Sequence, residues 1–406
     1  MTGIIEGMMK PIYASLLLSS SLFAAEPASL QSLIEQGETE QAIKQYAATP
    51  SNQSTFTQAI CQLSASMEAF QQGLYQYGFE VNSSSAGIRS VGPIPHNPKA
   101  EVVNYQKIRK LIETFHEELH AIEKTVATIG EDEFHLPLDL TKMRFDIDNN
   151  GKRTEMESSM ALVLSIDNNN RRMTPDQVDE LNKIDGTIVF DKSDLLWLKG
   201  YVQITLGATD LLLAHDFEQP FNAISGNLFQ KPENALSTLG ANDDNYGDVA
   251  NLIAAFHVAK MKVTEPDRLK QARQHLLNMV DASKAMWISV QAETDNNKEW
   301  LPSPKQDSVT GIKITEEMVT GWHQFLNEYE AILNGKKLLP HWRFKGKGIN
   351  LKRVLEESTE TDVILWITGH AATPFLELGE LTDQGLWRQL NRTFNGNLLG
   401  MSFFIN

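Results

Sequence analysis

Apolar side chains recur every three to four residues through most of this chain, which is the spacing of amphipathic helices. Residues 29–48 predict two short helices that turn at Gly37, and a further apolar stripe runs through residues 56–79. More helices are predicted at residues 101–129, from Asp191 or Ser193 to about residue 213, near 248–263, at 267–290 and at 315–334.

The fold class predicted from this pattern is mainly α: an irregular multi-helix bundle with one calcium-type loop and a small irregular or β element near the C-terminus. The β element stays open because "DVILWITG", residues 362–369, fits either a strand or a buried helical turn. Residues 236–248 are rich in Gly, Asn and Asp and form the best internal boundary. We therefore expect an N-terminal helical domain at residues 26–240, with a C-terminal helical region at 241–406 packed on it.

The first 25 residues are typical of an export signal. Lys10 precedes the apolar run "PIYASLLLSSSLFAA", which ends in the small residues Ala24 and Ala25. A buried N-terminal helix is the alternative. The only cysteine, Cys61, cannot form an internal disulfide. We therefore expect a periplasmic or secreted protein that is held together by its core, with help from a metal ion.

The charge balance favours cations as ligands. The chain has 52 acidic and 36 basic residues, for a net charge of −16, which disfavours nucleic acid and anionic membranes as partners. The longest later apolar run, residues 195–213, contains Lys199 and Asp210, and a membrane-spanning helix would have to bury both charges. We therefore predict no transmembrane segment in the mature chain and assign this run to a central helix of the core.

The strongest motif is "DIDNNGKRTEME", residues 146–157, which matches D-x-[DN]-x-[DN]-G-x5-E at every defined position. Gly151 permits the sharp bend that brings its ligands together, and calcium takes about six to eight hard oxygen ligands. An Asn-rich surface turn is the alternative. The predicted calcium ligands are the side chains of Asp146, Asp148, Asn150, Thr154 and Glu157 and the backbone carbonyl of Lys152.

These twelve residues resemble the loop of the EF-hand family, and this resemblance covers the loop alone. Arg153 stands where the family usually carries an apolar residue that pairs two neighbouring loops. Pro137 leaves room for only a short entering helix before Asp146. We therefore expect a solitary, structural loop with a calcium dissociation constant of about 0.1–1 mM.

A second metal-type motif is "HEELH", residues 116–120, which matches the HExxH string of zinc peptidases. At about 100° per residue, Glu117 falls opposite the apolar stripe of its helix, so the required catalytic base would face solvent. No G-x-x-H or N-E-x-x-x-E sequence follows to supply a third ligand. We therefore interpret His116 and His120 as a histidine pair on a charged helix face, with a zinc enzyme as the alternative.

A basic segment, "NGKKLLPHWRFKGKGINLKR" at residues 334–353, interrupts the acidic chain. Its cations could meet phosphate or a carboxylate-rich envelope partner, with an aromatic side chain as an apolar contact. The alternative is a solvated loop that pairs with the protein's own acids. The residues predicted to contact a partner are Trp342, Arg343, Lys345 and Lys347.

Four further segments resemble a group of exported bacterial proteins: "LYQYG" (74–78), "LPLDLTKMRFDIDNNG" (136–151), "VFDKSDLLWLKGYVQ" (189–203) and "KLLPHWRFKGKGINLKR" (337–353). The resemblance implies an all-helical fold around one calcium-type loop and nothing about a substrate. We therefore expect an exported calcium-binding protein with a binding or scaffold role; an enzymatic role is open but not favoured. The alternative is an envelope hydrolase that uses zinc or carboxylates.

Overall fold

The computed structural model describes residues 29–46, 50–80, 94–139, 141–159, 174, 176–177, 183, 185–233, 257–309, 313–394, 396 and 405–406. The predicted export signal and the boundary predicted at 236–248 lie outside these residues. The helices are α1 (Leu30–Glu35), α2 (Thr39–Tyr46), α3 (Asn52–Gln76), α4 (Tyr105–Thr125), α5 (Lys192–Leu213), α6 (Glu218–Leu228), α7 (Pro266–Ala292), α8 (Glu316–Leu333), α9 (Leu351–Glu357), α10 (Val363–Thr368) and α11 (Gln384–Thr393).

Three small antiparallel sheets accompany the helices. The strands are β1 (Leu136–Asp139), β2 (Thr187–Phe190), β3 (His215–Asp216), β4 (Lys260–Val263), β5 (Leu339–His341), β6 (Phe344–Ile349), β7 (Glu360–Asp362) and β8 (Leu376–Glu377). The sheets have the strand orders β1-β2, β3-β4-β7 and β5-β6-β8. The prediction of a mainly α protein is confirmed, but these sheets depart from the all-helical fold that the resemblance implied.

Two segments differ locally from the helices or strands predicted for them. Of the helix expected near residues 248–263, residues 248–256 lie outside the described part of the chain. Its end is wrong, because Lys260–Val263 alternates polar and apolar side chains and forms the strand β4. Of the two possibilities for residues 362–369, the helical one holds, since Val363–Thr368 forms α10, but this helix is not buried. Asp362 ends β7 and caps α10, and α10 contains no buried residue.

Helix α5 begins where the sequence predicts it. The Asp191 carboxylate accepts hydrogen bonds from the backbone N–H groups of Ser193 (2.7 Å) and Asp194 (3.3 Å). The Asp194 carboxylate in turn accepts the N–H of Asp191 at 3.0 Å. This reciprocal cap satisfies N–H groups that the first helical turn would otherwise leave unpaired.

Helix α5 lies at the centre of the protein because its apolar side chains point in all directions. One side packs into a core with α1, α3, α4, β1 and β2, while Leu196 and Ile204 contact a second core, built mainly from α7, α8 and α11. Helices α5 and α7 also pack along each other. The α5 residues of the first core are Leu195, Leu198, Val202 and Leu206.

The central position of α5 agrees with its assignment to the core and not to a membrane. Among the described residues, no helix combines the length and the apolar character that crossing a membrane requires. The prediction that this part of the chain contains no transmembrane segment is therefore confirmed.

A pair of leucines on α5 tests its central position. Leu206 is fully buried and Leu212 is 39% exposed. Leu206→Ala should lower the free energy of unfolding by about 2–5 kcal/mol, because it leaves a cavity in the core. Leu212→Ala should cost less than about 1 kcal/mol. Urea denaturation measures both, and equal losses would contradict a helix buried in this orientation.

Candidate functional site

The loop at residues 146–157 is fastened to helix α3. Glu68 on α3 accepts the backbone N–H of Asp146 at 2.8 Å, and Gln72 donates its side-chain amide to the carbonyl of Asp146 at 2.7 Å. Arg153 donates to the second carboxylate oxygen of Glu68 at 2.7 Å. Both ends of the bend are therefore tied to α3 by charged or polar side chains.

Three acidic side chains of the loop converge. One carboxylate oxygen from each of Asp146, Asp148 and Glu157 lies within 4.8 Å of the others. The two Asp146 oxygens accept the backbone N–H groups of Asn150 and Gly151, both at 2.9 Å. Gly151 has a φ of 78°, which a residue with a side chain adopts only with strain. The bend predicted from the glycine is therefore present.

Glu157 closes the loop from its other end. Its Oε1 accepts the backbone N–H of Ile147 at 3.0 Å, and its Oε2 accepts the N–H and the hydroxyl of Thr154 at 3.0 and 2.7 Å. Asp146 and Glu157 are 5% and 3% exposed, so both carboxylates sit inside the protein surface. A buried carboxylate needs this many donors, or a cation, to offset its lost hydration.

Two of the other predicted ligands lie beside the carboxylates and are hydrogen-bonded to them. Asn150 directs its amide nitrogen to Asp148 at 2.8 Å, while its oxygen accepts the backbone N–H of Lys152 at 2.8 Å. Thr154 uses its hydroxyl on Glu157. The structure thus brings the three charged groups together, with the side chains of Asn150 and Thr154 next to two of them.

The HEELH motif is arranged differently from either interpretation of its sequence. Glu117 is exposed, as predicted, and lies 3.9 Å from Lys110. His116, however, is only 4% exposed, so the description of both histidines as a pair on a charged surface is wrong for this residue. It turns inward because α4 packs against α5 at this point.

His116 belongs to a buried polar cluster between α4, α5 and α7. Its Nε2 lies 3.1 Å from Nε2 of His120 and 3.3 Å from Oδ1 of Asp210. Nε2 of His275 lies 3.5 Å from Oδ2 of Asp210. Glu123 approaches from the solvent side, 2.9 Å from His120 Nδ1 and 3.6 Å from His275 Nδ1. We call these five residues the histidine cluster.

Burial changes the pKa values of several side chains in this cluster. Burial, followed by the neighbouring His120, lowers the pKa of His116 to about 4. Burial also lowers the pKa of His275 and raises that of Asp210. Burial opposes ionisation of Glu123, but hydrogen bonds from Gln203 and His120 outweigh it and lower the pKa of Glu123. The buried histidines His116 and His275 are therefore neutral near pH 7, with nitrogen lone pairs available to a ligand.

Sequence reasoning missed the histidine cluster because its members come from three helices far apart in the chain. One signal was present. Asp210 interrupts an apolar helix assigned to the core, and a buried carboxylate requires partners. The pattern gave no means of finding that those partners are His116 and His275.

A third group of acids surrounds the start of α5. Single oxygens of Asp191, Glu293 and Glu299 lie within 4.8 Å of one another. Glu293 accepts a hydrogen bond from the Ser193 hydroxyl and another from the Gln306 amide at 3.1 Å. Burial, and then the charge of Asp191, raises the pKa of Glu293 to about 8. We call this group the acidic cluster.

The basic segment forms the β5–β6 hairpin, and its ends differ from its tip. At the ends, Lys337 pairs with Glu328 (2.8 Å) and Arg353 with Glu377 (3.2 Å). For these two residues, the basic segment pairs with acidic residues of the same protein, as the alternative interpretation predicts.

The residues predicted to contact a partner lie at the tip and are exposed. Trp342 is 72% exposed, and the guanidinium of Arg343 lies 4.6 Å from the centre of its ring. Lys345 and Lys347 point to solvent. Within the described part of the chain, Arg343, Lys345 and Lys347 form no ion pair. The contact with a partner therefore stays a prediction.

Comparison of the chain with protein-family models, with curated proteins and with solved structures found no match. The chemistry of these sites is therefore the basis for assigning a function.

The acidic cluster predicts an unusual pH dependence of stability. Glu293 keeps its proton in the folded state from its usual pKa of 4.5 up to about 8, whereas the unfolded chain releases it. Stability should therefore fall as pH rises through this window. Glu293→Gln should flatten that slope, because glutamine has the size of the protonated acid but cannot release a proton. The Gln306 amide, which donates to Glu293, also donates to the carbonyl of Asp295 and keeps that hydrogen bond in the variant.

Thermal unfolding between pH 5 and pH 8.5 measures this slope. Glu117→Gln, a substitution of an exposed glutamate, is the control and should keep the slope of the unmodified protein. A Glu293→Gln protein with an unchanged slope would show that Glu293 does not carry the extra proton.

Proposed function

We propose that this chain is an exported calcium-binding protein with a structural or scaffold role, in which calcium binds at residues 146–157 and fixes this loop to helix α3. The observation that carries the proposal is the convergence of one oxygen each from Asp146, Asp148 and Glu157 within 4.8 Å. Three like charges so close repel one another, and a divalent cation between them converts the repulsion into attraction.

The donor chemistry supports calcium over softer metals. All three converging groups are carboxylates, and hard oxygen ligands suit calcium, whereas zinc and copper favour nitrogen and sulfur. The Asn150 amide and the Lys152 carbonyl stand in the same bend and would complete the ligand shell. A single loop with three charged ligands fits the weak end of the calcium range, about 0.1–1 mM.

The attachments of the loop support a structural role. Asp146 is bonded through its backbone to Glu68 and Gln72, so an ion held by its side chain would also hold α3. On the far side, the Phe145 N–H donates to the Glu157 carbonyl at 3.0 Å, which closes the loop on itself. Calcium would therefore stiffen the junction between α3 and the segment that follows β1.

Export is proposed from the sequence of residues 1–25, and the calcium affinity fits it. Millimolar dissociation constants are useful only where calcium is plentiful, as it is outside the cytoplasm. Cys61 agrees with an oxidising compartment as well, because burial raises the pKa of its thiol to about 12 and so keeps it unreactive.

The hydrolase alternative receives less support. In a zinc peptidase of the HExxH type the glutamate acts as the general base beside the metal. Here that residue, Glu117, is exposed, whereas His116 is buried. A binding or scaffold protein therefore agrees better with the geometry.

Calcium should raise the thermal stability of the full chain. At about ten times its dissociation constant, an ion that binds only the folded state adds about 1.4 kcal/mol to the free energy of unfolding, and so raises Tm by roughly 2 °C. Asp148→Asn should abolish most of this rise, because it removes one of the three ligand charges. The variant keeps a side-chain oxygen that can accept the Asn150 N–H, so the loop should keep its shape.

Glu155→Gln is the matched control, since Glu155 lies in the same loop at a position that is not a predicted ligand. It should keep the full calcium-dependent rise in Tm. A Tm that does not respond to about 5 mM calcium, or an equal response in Asp148→Asn, would refute the proposed function.

A further inference from the structure

We propose that the histidine cluster is a second metal site, one for a zinc-class cation, with the Nε2 atoms of His116, His120 and His275 and Oδ2 of Asp210 as its ligands. It differs from the proposed calcium loop in place, in donor chemistry and in the ion it would take. The argument rests on where the histidine protons lie, on the spacing of the ligand atoms and on the surroundings of Asp210.

The hydrogen bonds of His116 direct its Nε2 lone pair into the cluster. Its Nδ1 lies 2.8 Å from the hydroxyl oxygen of Thr209. That hydroxyl donates its own hydrogen to the carbonyl of Thr205 at 2.9 Å, so toward His116 it can only accept. His116 therefore carries its hydrogen on Nδ1, and its Nε2 is the free donor atom for a metal.

The other two histidines have the same tautomer. The Nδ1 of His120 donates to the Glu123 carboxylate at 2.9 Å, and the Nδ1 of His275 donates to the Gln203 side-chain oxygen at 2.7 Å. The orientation of the Gln203 amide is fixed twice, since its nitrogen donates to Glu123 at 2.9 Å and its oxygen accepts from Asn278 at 3.2 Å. Metal-binding histidines commonly have their second nitrogen held in this way.

The three Nε2 lone pairs belong to a chain of contacts through Asp210, whose Oδ1 lies 3.3 Å from Nε2 of His116. Those of His116 and His120 face each other at 3.1 Å, and that of His275 faces Asp210 at 3.5 Å. Acceptor atoms at such distances repel unless a cation lies between them. Two nitrogens bound to one tetrahedral zinc ion, each about 2.1 Å from it, lie about 3.4 Å apart. The spacing between His116 and His120 is close to this value, and a bound ion would draw Nε2 of His275 and the Asp210 carboxylate to the same centre.

Asp210 provides an independent observation. Its carboxylate is fully buried, and its Oδ1 accepts from Arg268 at 3.0 Å. Its Oδ2 has no hydrogen-bond donor among the residues that the structure describes. A fully buried carboxylate oxygen without a donor is costly, and this one points toward the lone pair of His275. A metal ion would satisfy both atoms.

The donor set selects the class of ion and its role. Three imidazoles and one carboxylate suit zinc and its neighbours among the transition metals, and calcium takes oxygen ligands instead. His116 and His120 are four residues apart on α4 and so share one face, while Asp210 and His275 come from α5 and α7. A closed four-ligand ion here would cross-link three central helices.

To test the site, the full chain is freed of metal by a chelator, supplied with calcium, and then titrated with zinc or cobalt. One zinc per chain should bind, and cobalt should give the visible absorption of tetrahedral coordination. His120→Ala and Asp210→Asn should each weaken binding by at least about tenfold. Thr209→Val, which leaves the ligands in place but removes the acceptor for His116 Nδ1, should weaken it by about tenfold or more.

Two controls separate this site from the calcium loop. Asp148→Asn should bind zinc normally, and His120→Ala should keep the calcium-dependent rise in Tm, which also shows that it folds. His96→Ala, at an exposed histidine bonded to Glu80, should have no effect on zinc. Failure of the unmodified chain to bind zinc, or undiminished binding by His120→Ala and Asp210→Asn, would overturn the proposal and leave the calcium assignment untouched.

Discussion

Helix α5 is stable in water only when protein covers most of its apolar surface, and this requirement organises the molecule. Burying a leucine stabilises the folded state by about 1.5–3 kcal/mol. Leu195, Leu198 and Leu206 of α5 face the first core, and Leu196 and Ile204 extend the apolar surface of the helix toward the second core. One amphipathic partner could cover only one side. Helices that precede and follow α5 in sequence therefore meet along it, α4 on one side and α7 on another.

The polar features at the centre follow from the same requirement. Asp210 lies on α5, so packing the helix buries a carboxylate, at a cost of several kcal/mol unless it is compensated. Arg268 offsets part of that cost, and it stands on α7, one of the helices that cover α5. The loop at residues 146–157 is of another kind. It is attached to α3 by polar contacts, and its Ile147 is buried in the first core.

Local patterns predicted whatever depends on neighbours in sequence. The start of α5 at Asp191 and the bend at Gly151 were both predictable, because a helix cap and a positive φ are set by a few adjacent residues. The strand at Lys260–Val263 was missed, since its short alternating pattern became decisive only between two partner strands. The meeting of His116 with His275 depends on how three helices pack, and no periodicity in the sequence encodes that contact.

The crowding of Asp146, Asp148 and Glu157 has a consequence for the life history of the chain. While no ion balances these charges, their mutual repulsion weakens the join between the loop and its supporting helix. A polypeptide made where calcium is scarce would be held less firmly there than one that has reached a calcium-rich compartment. Under the proposed function, translocation machinery that requires an unfolded substrate would meet the looser form, and the higher calcium concentration outside would then favour folding there.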